Sequence, residues 1–269
     1  MTLMRKVAMK TKVQGHSFAV AVTLLATALP MLLVVSLSVP LLRASWIFRL
    51  RANVDGVARF VEFGIWGYCL NSTEENSRNT AATFPQCTRK MLGWTIGPEV
   101  VAFLQASRSV QTAPTNMETS LLVVYPASAA LVLITFGLAL SVYVAGKTTA
   151  KTSIGSLQHP KYLGTQFCLG CLTALTTFFV LLVHLELVTS VKKAVRAQLN
   201  SGNETLRTEW GNATWLCLAA LVSLCGNIII IRSVRTAKRK RDAQISEQTQ
   251  LPMIPLADKH SMIVTDAES

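Results

Sequence analysis

The stretch SLLVVYPASAALVLITFGLALSVYVAG, from Ser120 to Gly146, carries no charged side chain. A helix needs about 20 apolar residues to cross the hydrocarbon core of a bilayer, and a charge-free run of this length is rare in soluble domains. The stretch therefore predicts a transmembrane helix. The composition agrees, since 51% of the residues are hydrophobic and only 15% are charged.

Three further apolar runs share this character. They cover 17–42, 162–191 and 213–231, and only 162–191 contains ionisable side chains, His184 and Glu186. The predicted fold is therefore a membrane all-α bundle of four transmembrane helices. The remaining segments are a tail at 1–16, a first outer loop at 43–119, an inner connection at 147–161, a second outer loop at 192–212 and a tail at 232–269.

The first run follows a basic N-terminal segment, which raises the alternative of a cleaved signal peptide. The hydrophobic region of a signal peptide spans about 7–15 residues. The run at 17–42 is longer than that, so we expect it to be retained as a helix.

Basic residues favour a cytoplasmic location for both termini. The positive-inside rule places the side richer in Lys and Arg in the cytoplasm. Arg43, Arg49 and Arg51 of the first outer loop oppose this assignment. The residues that favour it are Arg5, Lys6, Lys10, Lys12, Lys147, Lys151 and Lys161, together with Arg232, Arg235, Lys238, Arg239, Lys240 and Arg241.

Three Asn-x-Ser/Thr sequons support the same orientation. They begin at Asn71, Asn203 and Asn212, and all three fall in the first or second outer loop. Such sequons mark acceptors for N-glycosylation outside the cytoplasm. Asn212 lies close to the fourth span, so Asn71 and Asn203 are the better candidates.

The first outer loop has the composition of a small folded module, with three tryptophans and several turn signals. Asp55-Gly56 is a hairpin turn signal, and side chains alternate between two faces over 57–68. We therefore expect a short antiparallel sheet. The segment 97–104 begins with Gly-Pro and continues with apolar residues, which predicts a short amphipathic helix.

Cys69 and Cys87 are the two cysteines of this loop. An oxidising compartment favours a disulfide between them, which would stabilise the module by roughly 3 kcal/mol on the chain-entropy estimate. The alternative is two free thiols.

The string FGIWGYC at 63–69 carries a family resemblance. Together with Trp46 upstream and Cys87 downstream, it resembles the Trp, Gly-Leu-Trp, Cys, Cys signature of claudin-like proteins. It is most similar to the fungal branch, the PalI and eisosomal Sur-type four-span membrane proteins. The resemblance covers nearly the whole chain. The motif residues are Trp46, Gly64, Ile65, Trp66, Gly67 and Tyr68.

The resemblance implies roles for these residues. The signature would lie on an extracellular antiparallel sheet, Cys69 and Cys87 would pair, and the tryptophans would anchor the sheet near the membrane surface. The chain departs from animal claudins in its wider spacing between the two cysteines, which argues against a tight-junction pore. It departs from PalI-type members in its short C-terminal tail.

Two groups inside the spans invite functional interpretations. His184 and Glu186 would form a proton-sensitive site, or they would lie near the outer end, where snorkelling is easy. They cannot pair with each other, since residues two apart on a helix face different directions. Cys168 and Cys171 have CxxC spacing, but their place inside a span favours packing over redox or metal chemistry.

Small residues occur at close-packing spacing in two spans. Gly170 and Ala174, and Ala219 and Ser223, would let helices approach closely, either inside the bundle or between copies in a homo-oligomer. At the end of the fourth span, the basic cluster 232–241 would contact anionic lipid headgroups or would act only as a stop-transfer anchor.

No Walker loop, dinucleotide fingerprint, zinc-protease motif or nucleophile elbow occurs, so we expect neither enzymatic activity nor a cofactor or metal. The net charge of +12 indicates a membrane surface rather than nucleic acid as partner. The resemblance implies a plasma-membrane protein that organises an eisosome-like membrane domain with cortical scaffold proteins. The alternatives are an accessory subunit of an ambient-pH-sensing complex and, more weakly, a channel or transporter auxiliary subunit.

Overall fold

The computed structural model describes residues 2–39, 41–54, 56–74, 86–88, 93–149, 160–199 and 206–249. Helices account for most of these residues, and five short strands form one sheet. The elements are α1 (Thr2–Ser36), β1 (Phe48–Val54), β2 (Val57–Phe63), β3 (Tyr68–Glu74), β4 (Gln86–Cys87), α2 (Pro98–Leu104), α3 (Arg108–Gln111), α4 (Asn116–Ser120), a 3-10 turn (Leu121–Val123), α5 (Val124–Thr149), α6 (Pro160–Leu199), β5 (Arg207–Trp210) and α7 (Asn212–Thr249).

Four helical segments are long and apolar enough to cross a membrane, which confirms the four-span bundle. Their bounds are His16–Ser36, Asn116–Ala145, Tyr162–Gln198 and Asn212–Lys240. Helices α1 and α6 each pack against both α5 and α7, so the four helices form a closed ring. The end of the bundle that carries the sheet is called the outer end below, and the opposite end is the inner end.

The helices differ in length from the apolar runs that predicted them. Helix α1 ends at Ser36 rather than at Leu42, and the chain turns there, with the Leu42 amide donating to the Leu37 carbonyl over 2.8 Å. Helices α6 and α7 continue past 191 and 231. Lys, Arg, Gln and Ala, which favour helix, follow each run, so the helix does not stop where hydropathy falls.

The sheet has the strand order β4-β3-β2-β1-β5, and all its pairs are antiparallel. The expected hairpin turn joins β1 to β2, and Gly56 has the positive φ (77°) that such a turn requires. Strand β2 ends at Phe63, so Ile65 and Trp66 belong to a turn rather than to the expected continuation of the strand. Strand β5 comes from the second outer loop, which the sequence did not predict.

The inward face of the sheet is covered by α2, whose expected position after Gly97 is confirmed. Apolar strand residues alternate toward this face, and Leu50 and Val61 face each other across β1 and β2 with no exposed surface. From the helix, Val100 and Leu104 are buried in the same cluster, which extends into the outer ends of the spans. The outer module and the bundle therefore share one hydrophobic core.

Candidate functional site

The motif turn 64–67 joins β2 to β3. The Gly64 amide donates to the Gly67 carbonyl over 2.8 Å, and Gly67 has φ 145°, a conformation that favours glycine. A Cβ on Gly64 would lie 2.3 Å from the carbonyl oxygen of Val39. Glycine is therefore required at the first position because the turn lies directly against the chain that follows α1.

The two residues at the tip of this turn attach the sheet to the outer end of α1. The Trp66 indole donates to the Ser36 carbonyl over 2.7 Å. Ser36 ends the helix, where carbonyls lack intrahelical partners. The Ile65 amide donates to the Ser38 hydroxyl over 2.9 Å, and the Ile65 side chain is fully buried. The motif thus works as a connector between sheet and membrane helix.

An aromatic cluster packs next to the turn and is hydrogen-bonded to it. The ring centroids of Phe48 and Phe63 are 4.5 Å apart, and those of Phe63 and Trp94 are 5.2 Å apart. The Trp94 indole donates to the Gly64 carbonyl over 3.1 Å. Sequence reasoning counted Trp94 only as composition and missed this role, since nothing local links it to a turn thirty residues upstream.

Tyr68, the next motif residue, joins the sheet to α2. Its phenol donates to the Glu99 carboxylate in the first turn of that helix. Burial, followed by this hydrogen bond, raises the pKa of the Tyr68 phenol well above its ordinary value. On the same face, the Arg59 guanidinium donates to the Phe103 carbonyl over 2.9 Å and lies 5.5 Å above the Phe103 ring.

The outward face of the sheet carries a charged cluster around Arg49. Its guanidinium lies 4.6 Å from the Trp46 ring centroid and 4.9 Å from that of Phe60. It also binds the Glu62 carboxylate at 2.5 Å and lies 3.7 Å from that of Glu209 on β5. Motif residue Trp46 therefore forms part of a cation–π stack that ties three strands together.

Cys69 and Cys87 are disulfide-bonded, as expected, and face each other across β3 and β4. The bond fixes the two-residue strand β4 to the edge of the sheet. Cys168, Cys171, Cys217 and Cys225 are free.

The second outer loop holds the sheet to α6 and α7. Strand β5 pairs with β1, and Lys192 of α6 lies 4.6 Å from the Trp210 ring centroid. The Asn212 side chain accepts a hydrogen bond from the Trp46 amide over 3.1 Å and donates to the Ala44 carbonyl. This amide is a structural link, which disfavours Asn212 as a glycan acceptor.

The other two sequons differ in what the structure shows. Asn71 lies on β3, half-buried, with its amide donating to Glu62 over 3.3 Å. Asn203 lies outside the described residues. Glycan attachment therefore stays a prediction for both.

His184 lies inside the bundle, which corrects the expectation that it would snorkel at the outer end. Its ring is fully buried. The Tyr125 hydroxyl is 2.6 Å from Nδ1, and the Thr214 hydroxyl is 2.7 Å from Nε2, so the ring links α5, α6 and α7. Glu186 is exposed on another face of α6, so the two residues do not meet.

Several small residues of the spans, among them Gly170 and Gly226, lie at helix contacts. A Cβ on Gly170 would meet side-chain atoms of Ile228 and Asn227 on α7, and Ala174 is buried. Gly226 approaches Leu24 of α1 in the same way. These contacts favour packing inside the bundle for Gly170 and Ala174. Ala219 is exposed, so its role in association with other copies stays untested.

The CxxC cysteines show no sign of a metal centre. Cys168 is exposed and Cys171 half-buried on α6, inside the third span. Among the described residues, no group of three His, Cys, Asp or Glu side chains comes together.

The basic cluster lies on the inner extension of α7. Arg232, Arg239 and Lys240 are exposed, whereas Arg235 and Lys238 are half-buried. The side chain of Arg241 lies outside the described residues. The exposed residues begin where the apolar surface of α7 ends, which suits the interface of a membrane leaflet.

Four spans, a disulfide-closed sheet at one end and a glycine-tryptophan turn fixed to the first span define a class of four-span membrane proteins with a claudin-like fold. Residues 16–225 match the SUR7/PalI family, and the chain belongs to that family. A search of curated proteins found no significant match.

Proposed function

We propose that this protein is a non-enzymatic organiser of a plasma-membrane domain of the eisosomal type in a fungus, with both termini in the cytoplasm. Family membership supports the general class. The observation that carries the proposal is the rigid attachment of the outer sheet to several spans. It lets contacts made outside the membrane fix the position of the helices within it.

The two ends of the molecule suit different partners. The outward face of the sheet, with Asn71 as a candidate glycan site, is available to the cell wall or to neighbouring membrane proteins. The basic end of α7 suits anionic lipids and cortical scaffold proteins. Self-association through the lipid-facing surfaces would add a second level of organisation.

Live-cell imaging of a C-terminal fluorescent fusion in a fungal host tests the proposal. Static cortical patches, slow to recover after photobleaching, are the expected result. A Gly64→Ala fusion that reaches the plasma membrane is expected to be mobile, whereas a Gly137→Ala fusion should stay static. A mobile, diffuse rim for the unmodified protein would contradict the organiser role.

The second candidate is an accessory subunit that supports an ambient-pH-sensing complex. The PalI part of the family description favours it. A deletion strain distinguishes the two candidates. Failure to grow at alkaline pH with cortical patches intact would indicate the accessory role, and altered patches with normal alkaline growth would indicate the organiser role.

A further inference from the structure

One row of α7 side chains faces away from the other helices. Trp215, Val222 and Ile229 are 66%, 65% and 65% exposed, and their spacing of seven residues places them on one face. Within a bilayer this row contacts acyl chains. The opposite face of α7, with Leu224 and Ile231, is buried, so a lipid that follows this helix lies along its exposed side.

The row leads directly into a groove at the inner end. The groove has a volume of about 480 Å³ and begins at Ile229. Two small hydroxyl side chains form its floor, since Ser233 donates back to the Ile229 carbonyl and Thr236 to the Arg232 carbonyl, each over 2.9 Å. Exposed cationic side chains stand at its two ends. The groove residues are Ile229, Arg232, Ser233, Thr236, Ala237 and Lys240.

In a bilayer of ordinary thickness, Arg232 would lie near the inner edge of the hydrocarbon core and Lys240 would lie beyond it. Arg232 is about 30 Å along the helix axis from Asn212, which matches the thickness of the hydrocarbon core. Lys240 lies about 12 Å further along the axis. Helical side chains lean toward the helix N-terminus, so Lys240 leans back toward the bilayer, and the long Arg232 side chain can snorkel in the opposite direction toward the headgroups.

Two of the neighbouring basic residues, Arg235 and Lys238, interact with other parts of the chain. The Arg235 guanidinium lies 5.7 Å from the ring centroid of Phe167 on α6 and is half-buried. Lys238 is half-buried and already interacts within the chain. Among the described basic residues, Arg235 and Lys238 are therefore turned toward the protein, whereas Arg232, Arg239 and Lys240 are exposed, and of these Arg232 and Lys240 line the groove.

We infer that this groove binds the phosphate headgroup of an anionic glycerophospholipid, held between Arg232 and Lys240 while its acyl chains follow Ile229 and Val222. The inference rests on the proposed function, in which the basic end of α7 meets an anionic leaflet, and it identifies the residues that make the contact. The proposed occupant is a lipid rather than a soluble phosphate, because the groove continues into the exposed apolar row of α7. An acyl chain can cover that row, and a phosphate cannot.

Two charge-matched double variants test the inference. Arg232→Gln/Lys240→Gln removes the groove cations, and Arg235→Gln/Lys238→Gln removes the same charge from the other face. Each purified full-length protein is placed in nanodiscs of phosphatidylcholine with a minor fraction of phosphatidylserine. Native mass spectrometry then measures the phosphatidylserine retained on release from the disc.

Retention is expected to fall about tenfold or more for the groove variant and less than about twofold for the matched variant. Equal losses would show diffuse electrostatic attraction and overturn the inference, as would undiminished retention in the groove variant. Displacement by soluble glycerophosphoserine would overturn the role of the acyl chains. Thermal unfolding of each variant is compared with wild type, so that a folding defect is recognised.

This outcome is independent of the cellular experiment. Lipid retention requires neither cortical patches nor a particular orientation in a cell. Loss of patches with intact lipid retention would reject the organiser role alone, and the reverse result would reject the groove alone.

Discussion

Gly64 is the residue on which the contact between sheet and first span depends. The backbone of Val39 approaches it so closely that no larger residue fits without moving the chain. The sequence motif indicated that this glycine belongs to a family signature. The reason for it, a contact with a segment 25 residues upstream, required the folded structure.

Gly64→Ala is expected to destabilise the outer module by about 1–3 kcal/mol, the usual cost of forcing an extra methyl group into a packed site. Gly137→Ala is the matched control, because a Cβ there meets nothing within 4 Å. Thermal unfolding in detergent compares the two variants. Equal unfolding temperatures would show that the contact with Val39 yields without cost.

Tyr68 provides a pH-dependent prediction. Its pKa is raised in the folded protein, so the neutral phenol contributes to stability fully below the unfolded pKa of about 10, and this contribution is lost as the pH rises through the folded pKa. Tyr68→Phe should therefore flatten the alkaline fall in stability. Tyr162→Phe, at a position 52% exposed, is the control and should follow wild type. Unfolding curves measured across alkaline pH distinguish them.

Among the elements, the sequence predicted where the spanning helices lie. It did not predict which of their side chains are buried between helices. Four long apolar runs define four spans, since the bilayer itself imposes length and hydropathy. Which face of α6 is buried depends on its neighbours, so the sequence left His184 open between a proton-sensitive site and a snorkelling position and did not reveal that it links three helices. Strand β5 escaped prediction because four residues, Arg207–Trp210, form a strand only through pairing with β1.

His184→Ala is expected to weaken the contacts among α5, α6 and α7. Interhelical hydrogen bonds in membranes contribute about 0.6 kcal/mol each on average and up to about 1.7, so two of them contribute roughly 1–3 kcal/mol. Glu186→Gln, on the exposed face, should have little effect. Thermal unfolding in detergent measures both, and a larger loss for Glu186→Gln would contradict the assignment.

The disulfide gives a second prediction at this scale. Cys69 and Cys87 are separated by 18 residues, and closing such a loop stabilises the folded module by roughly 3 kcal/mol. Cys69→Ser should lower the unfolding temperature and abolish the mobility shift between reducing and non-reducing gels. Cys168→Ser, which removes a free cysteine, should do neither. An unchanged shift in Cys69→Ser would exclude the pairing.

In the whole molecule, the sheet is joined to the bundle at several separate points. Trp66 contacts the end of α1, Lys192 of α6 contacts Trp210, and Asn212 at the start of α7 holds the chain before β1. The sequence indicated an outer module and a bundle but gave no sign that they share a core. Of these contacts, the one between Asn212 and Trp46 joins segments more than 100 residues apart, which local sequence patterns do not reveal.

Asn212→Ala should loosen the sheet from the bundle, since it removes one acceptor and one donor that satisfy the backbone of 44–46. We expect a loss of about 1–3 kcal/mol and faster proteolysis of the first outer loop. Asn53→Ala, at an exposed position on β1, is the control. Limited proteolysis in detergent measures the difference, and equal rates would contradict the link.

The hydrogen bond from the Trp66 indole to the Ser36 carbonyl also has a mechanical consequence. A domain on a flexible tether absorbs a lateral pull by swinging, whereas this sheet is held to the end of α1 by hydrogen bonds from Ile65 and Trp66. We therefore expect a lateral load on the sheet to tilt the spans and to displace the inner end of α7. If the protein organises a membrane domain as proposed, such a displacement would link contacts made outside the membrane to partners at the inner end of α7.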